Sequence, residues 1–262
     1  MTSVVSLPMY DWPEVSGAVD RLWSAIHTAL TDLGVDSPAE RSRPAETVEN
    51  WRTPDLLLSQ TCGLPLRRHL LDDVVVVGTF DHRLPDTPAG WYHSAVIVAA
   101  DHPARSLADL DGATAAINGR DSQSGHAALR HATIGAPAAV TAGVHSGGHR
   151  TSVQLVASGE AEVAAIDAVS WELALAHEPA AARCRVLERT APTPGLPLVT
   201  ARTNGAIVPH LRGAAALGVA ALDAADRDAL HVHALIAADA DDYTLLDDRW
   251  AAATAAGVPE LA

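Results

Sequence analysis

The sequence predicts an α/β protein of two lobes, each built on a mostly parallel sheet covered by helices. Short, continuously apolar runs alternate with helical patterns along the chain, as they do in sheets that are buried on both faces. The middle of the chain also carries a complete strand and helix set of its own, between two extended stretches. A chain of 262 residues, 48% of them hydrophobic and 19% charged, is long enough for two ordered domains.

The first third of the chain predicts three strands and one long helix. A strand is expected at residues 4–7, and a helix follows in which apolar residues recur every three or four positions between Val15 and Leu33. Gly34 is placed to end this helix. Two buried strands are expected at 56–58 and 74–77, with a turn or helix between them.

The middle of the chain repeats the alternation with further apolar strands and helices. Strands are expected at 95–100, 114–117, 138–142, 163–166 and 185–187, with helices at 152–158 and from Val169. The proline-rich stretch from Thr190 to Ala201 predicts an extended return crossing. An alanine-rich helix, a strand at 232–237 and a helix near 247–255 complete the chain.

This order predicts one discontinuous lobe and one continuous lobe. Residues 1–98 together with 199–262 form the first lobe, and residues 99–198 form the second. Two crossings, near Ala99 and Leu198, join the lobes as a hinge that lets a cleft close on a ligand.

The charge balance excludes several classes of partner. The chain has 32 acidic residues against 18 basic ones, all of them arginine, and its net charge is −14. Such a charge repels nucleic acid and anionic lipid at long range, so neither is an expected partner. A small anion remains compatible, because backbone N–H groups at the start of a helix can hold one whatever the global charge.

Cysteine usage and hydropathy predict neither a disulfide framework nor membrane insertion. Cys62 and Cys184 are far apart and lack metal-ligand spacing, so we expect two free thiols. The first fifteen residues have no basic segment followed by an apolar run, and no stretch is apolar enough to span a bilayer. On these grounds alone the expected location is cytoplasmic.

The stretch from Asn118 to His126 is the most informative candidate site. It follows a predicted strand and opens a predicted helix, which is where ligands bind in open α/β sheets. Ser122 or Ser124 can cap the helix, and Gly125 lets the backbone approach a ligand closely. Two interpretations stay open, an oxyanion cradle of hydroxyls and amides or an ordinary helix cap on a flexible loop, and the stretch alone favours the second.

A second polar stretch runs from Gly143 to His149, one strand–helix unit later. The strand that follows the next helix ends in the carboxylate of Asp167. Polar groups at the ends of successive strands are expected to converge on one cleft. His145 and His149 have the spacing of a zinc-binding pair, but because they lie on a glycine-rich loop the metal interpretation is the less favoured one.

The order of these segments resembles one family. The stretches PGWYHSAVIV, SLADLDG, NGRDSQSGH, SGGHRTSVQLVASGEAEVAAID and PGLPLVT, within residues 1–200, resemble the PhnD-like phosphate and phosphonate substrate-binding proteins of ABC transporters. The resemblance implies the type II periplasmic-binding-protein fold and a non-enzymatic solute-binding role. It also implies a small anionic ligand, a transporter permease as partner and, unlike the leader-less start of the chain, a periplasmic or extracytoplasmic location. No cofactor and no metal are implied.

The resemblance also implies a set of ligand-binding residues. The serine loop would cradle the phosphonate, the start of the next helix would contact it, and Asp167 would contact the other end of the ligand. The implied residues on the second lobe are Ser122, Gln123, Ser124, Gly125, His126, His149, Ser152 and Asp167. Near the first lobe, the implied residues that line the cleft are Tyr10, Gln60, Thr61 and Tyr92.

An enzyme or a metabolite sensor of the same fold is the alternative function. Cys62 is a candidate nucleophile, although a small thiol at a helix start is the more favoured interpretation and no pattern identifies a partner base. A heterocyclic or carboxylate ligand would instead make Asp167, Tyr10 and the tryptophans the dominant contacts. The sequence does not separate these ligands.

Overall fold

A computed structural model describes residues 3–43 and 48–261 and divides the chain into two compact units. The first unit comprises Met1–Trp91 and Pro194–Thr244, and the second comprises Tyr92–Thr193 and Leu245–Ala262. Two short strands, β4 (Trp91–Tyr92) and β10 (Thr193–Pro194), pair with each other where the chain passes between the units.

The first unit is built on a five-stranded mixed sheet. Its strands are β1 (Val4–Ser6), β2 (Leu56–Gln60), β3 (Val74–Asp81), β11 (Pro197–Ala201) and β12 (Ala234–Ile236). Their order across the sheet is β1-β2-β11-β3-β12. β1 and β2 are parallel, whereas β11 runs antiparallel to both of its neighbours and β12 runs antiparallel to β3.

Helices of the first unit cover this sheet. They are α1 (Ser16–Asp32), α2 (Val48–Trp51), α3 (Gly63–Pro65), α7 (Val208–Ala221) and α8 (Ala224–Leu230), with a π-helical turn at Leu66–Leu70 and 3₁₀ turns at Arg202–Ile207 and Ala240–Tyr243. The apolar stripe predicted for α1 is its buried face, which includes Leu22, Trp23, Ile26 and Leu30. α1 and α7 pack closely, since a Cβ added to Gly218 would lie 2.4 Å from the Cγ1 atom of Ile26.

The second unit holds a second five-stranded mixed sheet. Its strands are β5 (Ser94–Ala99), β6 (Ala113–Ile117), β7 (Val140–His145), β8 (Val163–Asp167) and β9 (Cys184–Arg189). The order is β7-β6-β8-β5-β9, with β6 parallel to β7 and β8, and β5 antiparallel to β8 and β9.

Helices again flank the sheet of the second unit. They are α4 (Ala128–Ala132), α5 (His149–Ser158), α6 (Ala168–His177) and α9 (Thr244–Ala255), with a π-helical turn at Gln123–Ala127 before α4 and 3₁₀ turns at Leu107–Asp109 and Pro179–Arg183. A buried cluster between sheet and helices includes Val96, Ile117, Leu129 and Val163. Within the described residues, no single helix is long and apolar enough to cross a membrane, and one sharply bent pair, Arg202–Ala221 with Ala224–Leu230, passes the same test of length and composition.

The predicted α/β class is confirmed, with mixed sheets in which most strands run in one direction. The reversed strands are β5 in the second unit and β11 and β12 in the first. β5 begins with Ser94 opposite Asp167, the last residue of β8, and so runs against its neighbour. Continuous apolar runs show that a strand is buried on both faces, and they carry no information on its direction.

The boundaries of the units also differ from the prediction. Ala99 and Leu198, the predicted crossings, lie inside β5 and β11 and pair with neighbouring strands. The chain instead crosses between Trp91 and Tyr92 and between Thr193 and Pro194, and residues 245–262 belong to the second unit, not the first. A boundary at either predicted position would divide a strand whose residues are hydrogen-bonded within one sheet.

Candidate functional site

The loop after β6 and the turn that follows it form the first part of the candidate site. Ser122 caps the π-helical turn, since its Oγ accepts a hydrogen bond from the Gly125 amide at 2.9 Å. Its carbonyl oxygen accepts the amides of His126 and Ala127. A Cβ on Gly125 would lie 1.9 Å from Oδ1 of Asn118, so any larger residue there would displace the buried amide oxygen of Asn118 or the turn itself. The predicted helix cap is therefore present, and the close approach of the backbone to a ligand at Gly125 stays a prediction.

Ser124 and His149 come together from two different helix starts. Oγ of Ser124 lies 2.8 Å from Nε2 of His149, although the residues are 25 positions apart. Ser124 is 4% exposed, and Nδ1 of His149 is buried with no hydrogen-bond partner among residues 3–43 and 48–261. Burial lowers the pKa of His149 to about 4, so the ring is neutral at pH 7.

Because His149 is neutral, the Ser124–His149 pair has one hydrogen that is not used within the pair, whichever ring nitrogen is protonated. If Ser124 donates to Nε2, the hydrogen on Nδ1 remains. If Nε2 donates to Ser124, the hydroxyl hydrogen remains. Either way one hydrogen is left for an acceptor from outside the pair, and an oxyanion supplies such an acceptor.

His149 is also the first residue of α5, a helix of ten residues. The residue before it, Gly148, makes no side-chain cap, so within the described chain the first turn lacks the usual hydroxyl or carboxylate acceptor. The start of a helix carries a partial positive charge that favours an anion. The helix start and the Ser124–His149 pair therefore favour the same kind of ligand.

Ser94 joins this pair to the end of β8. Its Oγ donates to the carbonyl oxygen of Ser124 at 3.0 Å, and its backbone faces Asp167 across the antiparallel pair of β5 and β8. The amide of Ser94 in turn donates to Oγ1 of Thr190 at 2.9 Å. Ser94 is not among the residues predicted from the sequence, where its one signal is a hydroxyl at the first position of an apolar strand that follows a crossing.

Asp167 is buried and acts as a helix cap. Its Oδ1 accepts the amides of Val169 at 2.8 Å and Ser170 at 3.1 Å, which begins α6. The carboxylate thus lies at the end of β8, as predicted, and in the same unit as Ser124 and His149. Its contact with a ligand stays a prediction.

Ser152 belongs to a hydrogen-bond network inside the α5 start. Its Oγ lies 2.6 Å from Oγ of Ser146, so one of these hydroxyls donates to the other. The second hydroxyl donates to a backbone carbonyl oxygen, that of Gly148 for Ser152 or that of Ile117 for Ser146. With 1% of its surface exposed, Ser152 orders the loop that precedes His149. Gln123 is likewise buried, at the first position of the π-helical turn.

The structure corrects the assignment of His126. Its Nδ1 donates to the carbonyl oxygen of Arg120 at 2.8 Å, and its Nε2 accepts the amide of Leu261 at 3.2 Å. Both ring nitrogens are occupied by backbone groups, and the side chain is 1% exposed. His126 therefore holds the loop in place and has no ring nitrogen left for a ligand.

The candidates of the first unit lie at the ends of its strands. The ring of Tyr10 packs edge-on against His82, with centroids 5.3 Å apart. Nε2 of Gln60 and Oγ1 of Thr61 are buried and have no partner in the part of the chain that is described. A buried polar atom left unpaired costs about 1–3 kcal/mol, so these atoms favour a ligand or water as partner.

Tyr10 and Gln60 also line a small apolar cavity of this unit. The cavity has a volume of about 20 Å³, enough for about one water molecule. Six apolar side chains complete the wall, those of Leu7, Val19, Leu22, Phe80, Leu230 and Val232. Tyr92, the remaining candidate, is the first residue of the second unit and is 2% exposed.

The structure provides no support for the alternatives of a thiol nucleophile and a zinc site. Cys62 lies near Tyr243, whose pKa burial raises, so this phenol stays protonated and cannot act as a base. Burial raises the pKa of the Cys184 thiol to about 11. No group of three metal-ligating side chains occurs in residues 3–43 and 48–261, and Nε2 of His149 bonds Ser124 instead.

Comparisons with solved structures show proteins of the same fold. PhnD1 from Prochlorococcus marinus in complex with methylphosphonate is 18% identical, with a TM-score of 0.73 over 95% of this chain and 96% of that one. A binding protein component of an ABC phosphonate transporter from Pseudomonas aeruginosa is 16% identical, with a TM-score of 0.71 over 98% and 87%. XAC2383 from Xanthomonas citri, bound to chloride ion, is 15% identical, with a TM-score of 0.71 over 98% of each chain. These neighbours confirm the type II periplasmic-binding-protein fold.

The sequence itself matches one family pattern. No curated protein matches the chain significantly in sequence. Residues 74–243, well over half of the chain, match the family described as "ABC transporter, phosphonate, periplasmic substrate-binding protein". The predicted PhnD-like resemblance and a solute-binding role toward a small ligand are therefore confirmed, and the chain belongs to the phosphonate-binding family of ABC transporter substrate-binding proteins.

Proposed function

We propose that this protein binds a phosphonate or phosphate-like anion for ABC-type uptake, and that Ser124 and His149 hold the anion on the second unit. The observation that carries the proposal is their 2.8 Å contact, with Nδ1 of His149 buried and unpartnered in the described chain. The pair offers one donor hydrogen, and the first turn of α5 adds backbone amides. Ser122, Gly125 and Ser94 shape the loop that presents Ser124.

Neutral donors suit an anion in a protein of this charge. A net charge of −14 disfavours anions at long range, so affinity has to come from short, directed contacts. A hydrogen bond from a neutral donor to a charged oxygen is worth about 1.5–3 kcal/mol. A few of them at one helix start are enough for tight binding without an arginine.

The finer assignments extend this proposal. We assign contacts with the rest of the ligand to Asp167, Tyr10, Gln60, Thr61 and Tyr92. The relatives' transporter context supports a permease as partner, and the family's periplasmic description supports an extracytoplasmic location. The cytoplasmic location expected from the first residues finds no support in the family.

Calorimetric titration of wild-type protein with methylphosphonate, phosphate and a short alkyl sulfonate tests the proposal. We expect saturable binding of at least one phosphorus oxyanion and a higher melting temperature in its presence. Ser124→Ala and His149→Ala should each weaken binding about tenfold to a hundredfold, the loss of one bond to a charged group.

Arg249→Ala is the matched control for these variants. Arg249 lies on α9 and donates to the carbonyl oxygen of Ala191 in the same unit, whereas Ser124 and His149 lie on the π-helical turn and at the start of α5. We expect this variant to bind as the wild type does. Equal losses for all three variants would show that the site is wrongly placed, and no binding of any phosphorus oxyanion would remove the proposed ligand class.

A further inference from the structure

A short segment near the end of the chain is held by two side chains of the π-helical turn and α4. We call residues Val258–Leu261 the docking segment. Nε of Arg130 donates to the carbonyl oxygen of Pro259 at 2.9 Å, and Nη2 donates to that of Val258 at 2.9 Å. The amide of Leu261 donates to His126, and the Leu261 side chain belongs to the buried core of the second unit.

Arg130 is so deeply buried that its guanidinium needs the hydrogen-bond acceptors of the docking segment. Only 2% of its surface is exposed, and its guanidinium lies 4.0 Å from the ring centroid of Trp250 in α9. A buried charge is expensive unless its hydrogens find acceptors. The two carbonyl oxygens of the docking segment are such acceptors, so removing the side chain of Arg130 removes the anchor of the segment.

His126 connects the docking segment to the serine loop through a single ring. A carbonyl oxygen only accepts, so Nδ1 must carry the hydrogen that bonds Arg120. Nε2 must then be the acceptor for the amide of Leu261. The ring also packs edge-on against Trp250, with centroids 5.5 Å apart. One neutral imidazole thus fixes both the loop and the segment.

His126, which makes these contacts, lies two residues after Ser124 in the same turn. The amide of His126 donates to the carbonyl oxygen of Ser122, which begins the turn that carries Ser124. If His126 moves, the turn loses the bond that sets its distance from Arg120. The position of Ser124 relative to His149 therefore depends on residues more than 130 positions away in sequence.

We propose that His126, Arg130 and the docking segment are positioning elements of the anion site, which set ligand affinity although they supply no ligand contact. The proposal rests on the proposed function of the Ser124–His149 pair. It goes beyond it by making the last described residues a working part of that site. It also explains why a histidine predicted to bind ligand is bonded to backbone on both sides.

A matched pair of arginine variants tests the proposal. Arg130→Met keeps the aliphatic stem and removes the bonds to the docking segment. Arg185→Met is the control, because Nη2 of Arg185 also bonds two backbone carbonyls of the same unit, those of His102 and Ala104. Both variants should lower the melting temperature. Only Arg130→Met should weaken methylphosphonate binding, by about tenfold, when affinity is measured well below both melting temperatures.

His126→Phe provides the second variant, since it keeps a ring against Trp250 and removes both hydrogen bonds. It should lose affinity as Arg130→Met does. The double variant should lose less binding free energy than the two single variants added together, because both substitutions break the same connection between the loop and the docking segment. Wild-type affinity in Arg130→Met and His126→Phe, or an equal loss in Arg185→Met, would overturn the proposal.

Hydrogen exchange separates this proposal from the proposed function. Without any ligand, the amides of Gly125, His126 and Ala127 should exchange faster in Arg130→Met and His126→Phe than in wild type or Arg185→Met. Unchanged protection there would overturn the proposal by itself. If wild type bound no phosphorus oxyanion while these amides were deprotected, the proposed ligand would be wrong and the positioning of the loop would stand.

Discussion

His82 shows how a single buried residue makes the stability of the first unit depend on pH. Its ring is 5% exposed, packs against Tyr10 and bonds the carbonyl oxygen of His231 through Nδ1. Burial lowers the pKa of His82 to about 4 from an ordinary value of 6.5. The folded protein therefore resists a proton that the unfolded chain accepts.

The free energy of unfolding should fall as the pH drops from about 6.5 to about 4. In that window the unfolded chain binds more protons than the folded one, so stability rises with pH and is complete above it. At about 1.4 kcal/mol for each pKa unit, the loss at His82 is at most about 3.5 kcal/mol. His82→Gln should make the profile measured by urea denaturation less steep without flattening it, because His149, whose pKa burial also lowers to about 4, contributes in the same window. The exposed His210→Gln is the control variant. A slope equal to that of the wild type in His82→Gln would show that His82 does not contribute to the acid limit.

The sequence predicted these residues unevenly. The helix cap at Ser122 and the position of Asp167 at a strand end follow from residue type and local order. The roles of His126 and Ser94 do not, because their partners are separated from them by many residues. A histidine beside a serine loop has the same sequence signature whether it bonds a ligand or the backbone of a distant segment.

The π-helical turn Gln123–Ala127 is the element whose geometry the site needs most. Gly125→Ala places a methyl group against Oδ1 of Asn118, which is 1.9 Å from the position of the new Cβ. We expect a loss of about 1–3 kcal/mol in stability and a clear loss of methylphosphonate affinity, because Asn118, whose Oδ1 is buried, and the turn it packs against have to adjust. Calorimetric titration and urea denaturation of the same sample measure both effects.

Gly119→Ala in the same loop is the control for that variant. Nothing lies within 4 Å of a Cβ added there, so both quantities should stay near the wild-type values. Adding Asn118→Ala to the Gly125→Ala protein removes the clashing side chain and should recover part of the stability. Wild-type affinity in Gly125→Ala would mean that the turn does not set the position of Ser124.

Helix α7 offers a matched test of packing in the first unit. Gly218→Ala meets the side chain of Ile26 at 2.4 Å and its backbone nitrogen at 3.1 Å, so α1 and α7 have to separate. It should cost about 1–3 kcal/mol. Gly213→Ala on the same helix meets nothing within 4 Å and should stabilise by about 0.5–1 kcal/mol through helix propensity. Guanidinium denaturation of the two variants should therefore shift in opposite directions, and a shift in the same direction would contradict this packing.

At the level of elements, the hydrophobic periodicity of the sequence predicted the positions of most helices and strands. The errors concern strand direction and unit boundaries, which depend on pairing between distant parts of the chain. The stripe of α1 and the apolar runs of β2, β3, β5 and β8 lie where the sequence predicted them. The direction of β5 and β11, and the unit to which α9 belongs, were set by hydrogen-bonded neighbours far along the chain. The contact between Arg130 and Trp250 is one of those that hold α9 in the second unit.

For the molecule as a whole, the excess of acidic groups opposes the ligand class that the site favours. The net charge of −14 creates a negative potential around the protein, whereas the Ser124–His149 pair and the start of α5 attract an anion only at short range. The two effects act at different stages of binding. Long-range repulsion slows the approach of the ligand, and short-range bonds determine how long it stays.

The association rate of methylphosphonate should therefore rise with ionic strength. Raising the salt from about 10 mM to about 100 mM shortens the screening length from about 30 Å to about 10 Å, which removes most of the repulsion between the protein and an approaching anion. Stopped-flow measurement of tryptophan fluorescence gives this rate, with a salt whose anion does not itself compete for the site. A zwitterionic aminoalkylphosphonate is the control, because its amino group offsets the repulsion and its rate should change less. A rate that fell with salt for both ligands would show that a local positive potential, and not the net charge, governs the approach to the site.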